Sequence, residues 1–256
     1  MYKRVLLLTA LALFSFSGCT QKEGVSYKKY SDIDKPIVIQ KEQKVAESTQ
    51  VEILTKEQKA PNKEVLADKK LELDYELIYR ENIVQSALEY LGKKSGGDCS
   101  GFIDMINIQN FEPYYMGSEL NKFYTNSYRS KAMYNLLKSE DRLVGIDELK
   151  IGDLVFFEDT LAGVKRKVGA SNITHVGLVV KIDDDATIHF IHHASGKNKI
   201  DQLNMNYQNK EVVSGKVVNS YIKRCPKKGS KTECLSSNLF SAFATPTFDT
   251  IRLTQN

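Results

Sequence analysis

The chain contains no tryptophan, five prolines and only four histidines. All four histidines fall between His175 and His193, so any imidazole chemistry is confined to one short stretch. Charge of one sign is also scarce. A net +4 over 256 residues is mild and unfocused, and nucleic-acid binding, which needs a clustered basic face, is not indicated. After Phe16 no apolar run is long enough to span a bilayer. Metal ligation has little to work with. His189, His192 and His193 are the nearest candidates, but on a strand His192 would face away from the other two, and no Asp or Glu joins them at a telling spacing. No metal and no cofactor are expected.

What is present begins with a targeting segment. Lys3 and Arg4 precede an almost unbroken apolar run from Val5 to Phe16, and small residues follow up to Cys19. Residues 1–18 therefore read as a signal peptide. Residues 19–81 read as a tether: Lys, Glu, Gln, Asp, Ser and Thr with scattered aliphatics cannot bury enough apolar surface to repay the entropy of ordering. Some sixty flexible residues span roughly 40–50 Å on average and about 200 Å when extended.

Gly96-Gly97-Asp98-Cys99-Ser100-Gly101-Phe102 is the stretch around which the chain is organised. Asp98 is a suitable N-cap, and Phe102, Ile103 and Ile106 recur at helical spacing. Cys99 would then stand in the first turn, where the partial positive charge of the helix end favours a nucleophilic thiolate. A cysteine packed inertly against Phe102 would have the same local sequence.

Around it, Asn82-x-x-Gln85 has the form of a capping box and predicts a helix start, with Ile83, Ala87, Leu88 and Leu91 forming one stripe before Gly92. Residues 111–128 show no period and read as loop, and Ser130 to Leu137 reads as a short helix. Strands follow at 154–157, 173–182 and 187–193, the last two as a hairpin around Asp183-Asp184-Asp185, with further strand signals at 212–218 and 221–222. Helices first and an antiparallel sheet after is the α+β layout. His175 stands on a strand beside Gly177, which suggests a face with room for something to approach. It is the candidate base for Cys99. A base needs an orienting partner on its second nitrogen, and of His192 and His193 only one can face the right way.

Four blocks carry a resemblance: Asp98-Cys99-Ser100-Gly101-Phe102, then Leu149 to Phe157, then Thr174-His175-Val176-Gly177-Leu178, then His193-Ala194-Ser195. In order and spacing they resemble the NlpC-type cell-wall cysteine peptidases over residues 82–222. The resemblance implies a papain-like fold, N-terminal helices packed on an antiparallel sheet, and hydrolysis of peptidoglycan stem peptides between D-glutamate, through its γ-carboxyl, and the diamino acid. It implies Cys99 as nucleophile, His175 as base in an imidazolium–thiolate pair, and His193 as the orienting residue, with His192 as the alternative. Asp98, Ser100 and Gly177 would line the substrate cleft. Alternatives of other kinds are a CHAP-type amidase and an inactive wall-binding scaffold. One departure stands out: the family's tyrosine ahead of the cysteine, which helps line the oxyanion site, has no counterpart in Leu91 to Gly97. The N-terminus resembles a lipoprotein signal with Cys19 as the lipidated residue, although Phe16 departs from its usual aliphatic. Thr20 after the cysteine would direct a Gram-negative lipoprotein to the periplasmic face of the outer membrane. Cys225 and Cys234 flank a solvated loop and can pair as a disulfide in an oxidising compartment. Residues 223–256 have no counterpart, and their apolar run 239–243 could add a strand or cover an edge.

Overall fold

A computed structural model of the chain describes residues 63–124, 128–161, 172–225 and 231–248. The signal segment, Cys19 and the tether up to residue 62 lie outside the described residues. Helix α1 (Lys63–Leu88) is continuous, so the capping-box pattern at Asn82 falls inside a helix rather than at its start. The folded part also begins earlier than residue 82. Arg80 is buried, and its guanidinium bonds Asp153 at 2.6 Å, the Ile151 carbonyl at 3.0 Å and the Thr245 hydroxyl at 2.7 Å.

Three further helices follow: α2 (Cys99–Gln109), α3 (Gly117–Lys122) and α4 (Arg129–Ser139). The segment expected as loop thus holds a short helix, and its Tyr114 and Tyr115 are fully buried. The strands are β1 (Leu143–Val144), β2 (Leu154–Glu158), β3 (Ile173–Ile182), β4 (Ile188–Ala194) and β5 (Lys197–Leu203). A small separate hairpin joins β6 (Val212–Val213) to β7 (Lys216–Val217), and a one-turn helix α5 (Ser236–Leu239) leads into β8 (Phe240–Ala244). The main sheet is antiparallel, in the order β1-β8-β2-β3-β4-β5. Helices ahead of an antiparallel sheet make this an α+β fold.

Period-two alternation divides the sheet into two faces. Leu154, Phe156, Val176, Leu178, Val180 and Ile191 meet the helices, where Phe102, Ile103, Ile106, Met133 and Leu137 are fully buried. Each such side chain contributes roughly 1.5–3 kcal/mol by leaving water. Val155, Phe157, Val179, Phe190 and Leu203 form the second face, closed by Leu239 and Phe243. The C-terminal apolar run is therefore an internal strand, inserted between β1 and β2 with Val155 opposite Phe243. Cys225 and Cys234 are bonded, with Cα atoms 5.7 Å apart, just ahead of that run.

Candidate active site

Asp98 caps α2 as its sequence suggests. Its Oδ1 accepts from the Gly101 N–H at 2.7 Å and from the Ser100 hydroxyl at 2.9 Å. The loop before it folds closely onto the helix. A Cβ on Gly96, whose φ is +89°, would lie 2.4 Å from the Phe102 Cα, so only glycine fits. These contacts hold Cys99 at the helix start. Because α2 packs on β3 and β4, the Cys99 sulfur meets the backbone N–H of Val176, the residue next to His175.

His175 Nε2 is 2.5 Å from His192 Nδ1, and His192 Nε2 is 2.9 Å from Asp201 Oδ2. With Nε2 engaged, the nitrogen His175 has left for the cysteine is Nδ1. His193, the partner expected from the resemblance, lies elsewhere. Its Nδ1 donates to Asn198 Oδ1 at 2.9 Å and to the Ser95 carbonyl at 3.2 Å. Asn198 in turn bonds the backbone of Tyr90, Gly92 and Lys93. His193 thus fastens the loop ahead of Cys99 to β4 and β5, and the alternative, His192, occupies the place beside His175.

A single extra residue explains the exchange. Near the hairpin turn Ile182 faces Ile188 and Lys181 faces His189. Continued unchanged, that register would set Gly177 opposite His193. An irregularity between Val179 and Lys181 leaves Val180 unpaired, after which Val179 faces Phe190 and Leu178 faces Ile191. The shift by one turns His192 onto the face of His175 and His193 onto the helix face. Gly177 accommodates the result: a Cβ there would lie 2.8 Å from Phe190 Cδ2 and 3.3 Å from His192 Cβ. The space expected for an approaching ligand beside Gly177 is filled by these two side chains.

Burial governs the electrostatics. It pushes the Cys99 thiol up to about 11, since the N–H groups of Val176, Ser100 and Cys99 offset only part of the desolvation and the Asp98 charge adds to it. His175 is held well below its ordinary value, first by burial and then by His192. Burial thus disfavours the Cys99 thiolate and the His175 imidazolium alike, against the thiolate expected from the helix end alone. Iodoacetamide should alkylate Cys99 slowly at pH 7, where about one molecule in ten thousand carries a thiolate, and about tenfold faster per pH unit up to pH 10. Peptide mapping across that range checks this. A rate already at its plateau at pH 7 would mean a resting thiolate.

Ser100 is buried with its hydroxyl on Asp98. Tyr90 cannot stand in for the absent oxyanion tyrosine. Its hydroxyl accepts from Gln109 Nε2 at 2.6 Å, at the end of α2 about 15 Å along the axis from Cys99. Asp201 escaped the sequence reading because β5 is a polar edge strand; the signal lay in its register, which sets Lys199 opposite His192 and Asp201 one pair along on the same face. His189 lies apart, bound to Asp183. Among the described residues no group of three His, Cys, Asp or Glu side chains is arranged to hold a metal ion, and no helix is long and apolar enough to cross a membrane.

No curated protein and no solved structure matches the chain. Residues 88–217, just over half of it, match the NlpC/P60 family. That span holds α2, with Cys99 at its first position, and all of β3 to β5, and its family carries cell-wall peptidase activity. The chain belongs to the NlpC/P60 family, whose members are typically cysteine peptidases.

Proposed function

We propose that the protein is a peptidoglycan endopeptidase that hydrolyses stem peptides, most specifically the amide between the γ-carboxyl of D-glutamate and the diamino acid. The observation that carries this reading is the hydrogen bond from His175 to His192 beside the helix end that bears Cys99. In the reaction the Cys99 sulfur attacks the amide carbonyl while His175 Nδ1 takes the thiol proton. The imidazolium and thiolate so formed stabilise each other where each alone would be costly. His175 then gives the proton to the leaving amine, and water, deprotonated by the same nitrogen, releases the acyl-enzyme. The Cys99 backbone N–H, which at rest meets the Cys99 sulfur and has no partner within the helix, turns to the developing oxyanion. His192 orients the base. Asp98 shapes the cleft through its cap, and Ser100 through its bond to Asp98.

Residues 1–18 serve as export signal, Cys19 as lipid anchor and the following segment as tether, which places the enzyme on the periplasmic face of the outer membrane. Digestion of purified peptidoglycan, with fragments weighed by mass spectrometry, tests the bond. The expected products are dipeptide-capped muropeptides and peptides with a newly freed diamino-acid amine. Whole stem peptides and bare glycan would instead identify an amidase of the CHAP type.

A further inference from the structure

We infer that Asp201 sets the tautomers of both buried imidazoles and thereby leaves Nδ1 of His175 as its bare nitrogen, the one the proposed mechanism uses on Cys99. The inference rests on the peptidase reading for its consequence, but its physical content is independent of the substrate.

An ionised carboxylate can only accept hydrogen bonds. Burial pushes the Asp201 carboxyl up, but the hydrogen bond from His192 and the charge and bond of Lys199 outweigh it and hold the group below its ordinary value. Asp201 is therefore charged, and His192 Nε2, 2.9 Å from its Oδ2, must carry the proton. Burial keeps His192 itself neutral, against the opposing pull of Asp201. Its Nδ1 is then a bare lone pair. His175 Nε2 lies 2.5 Å from that lone pair and must donate to it. With its one proton so placed, neutral His175 presents a bare Nδ1, the form a general base requires.

Two tautomers thus follow from one carboxylate, through two hydrogen bonds that cross three strands. The alternative state, with Nδ1 of His175 protonated and the Nε2 lone pair engaged by His192, would leave no bare nitrogen to take the thiol proton. The titratable groups around the pair are few. Lys199 Nζ meets the same Asp201 oxygen at 2.7 Å from the exposed edge. His193 approaches from the other face of β4 and bonds Ser95 and Asn198 instead. Asp201 touches neither Cys99 nor any substrate position, so it is a positioning residue.

The test is nitrogen NMR on the full chain with 15N-labelled histidine, which has only four rings to assign. In the unaltered protein His175 and His192 should both appear as the Nε2–H tautomer. Asp201→Ala should leave both rings as tautomer mixtures and lower kcat on a stem-peptide substrate by about 10- to 100-fold with KM unchanged. Asp201→Glu, which keeps an acceptor-only carboxylate, should restore the Nε2–H tautomers and part of kcat. An Nδ1–H His175 in the unaltered protein overturns the inference without need of any variant. So does Asp201→Ala with both tautomers intact. Tautomers that respond as expected in a protein that cleaves no stem peptide would overturn the peptidase reading and leave this inference standing.

Discussion

His192→Ala is expected to lower kcat on a stem-peptide substrate by about 10²- to 10⁴-fold, the usual range for disabling a general base through its orientation. His193→Ala should keep kcat within about tenfold of the unaltered enzyme, because His193 faces the loop before Cys99 and not the base. Its cost should appear in stability, about 1–2 kcal/mol for the lost bonds to Ser95 and Asn198. Steady-state kinetics and urea unfolding of the two variants, side by side, measure both quantities. The reverse pattern, with His193→Ala inactive and His192→Ala active, would mean that the strand at Val180 runs without its extra residue.

The second large effect concerns folding. Arg80 and Asp153 form an ion pair almost sealed from water, and burial still leaves the Asp153 carboxyl above its ordinary value despite the guanidinium beside it. Removing one partner strands the other charge in a poorly solvating interior. Arg80→Met should therefore cost about 3–5 kcal/mol, a large share of the roughly 5–15 kcal/mol available to a typical domain. Arg80→Met combined with Asp153→Leu should lose less than Arg80→Met alone, since no uncompensated charge remains. Urea denaturation of the three proteins checks both statements, and a loss below about 1 kcal/mol in Arg80→Met would show that water reaches the pair. Arg80 belongs to the stretch whose composition suggests a tether, so a truncation beginning at residue 82 should lose the same interaction.

These two predictions mark where local sequence was informative and where it was not. The start of α2 could be read because everything that makes it is local: a capping Asp98, then Phe102, Ile103 and Ile106 on one face. The same holds for β3 and β4, whose alternation sorts their side chains onto two faces. The pairing of those strands is another matter. One unpaired residue, Val180, decides whether His192 or His193 meets His175, and valine in a strand carries no mark of a bulge. β5 escaped notice because Lys197, Lys199, Asp201 and Gln202 suit a solvent-exposed sheet edge. β8 reaches its place between β1 and β2 only through a return of the chain from beyond Cys234, a non-local pairing with no local signature. The thiolate expected at the helix end was likewise a local inference. The helix end is there, but the burial that overrides it comes from tertiary packing.

Turnover of purified peptidoglycan by the unaltered protein and by Cys99→Ala is the most direct measurement of whether this sulfur and the His175 imidazole form a working pair. Loss of at least about 10⁴-fold in Cys99→Ala, with an unchanged urea midpoint, is the predicted result. Cleavage at the unaltered rate without the sulfur would contradict a cysteine mechanism outright, and absence of cleavage by both proteins would leave the fold in the role of a wall-binding scaffold.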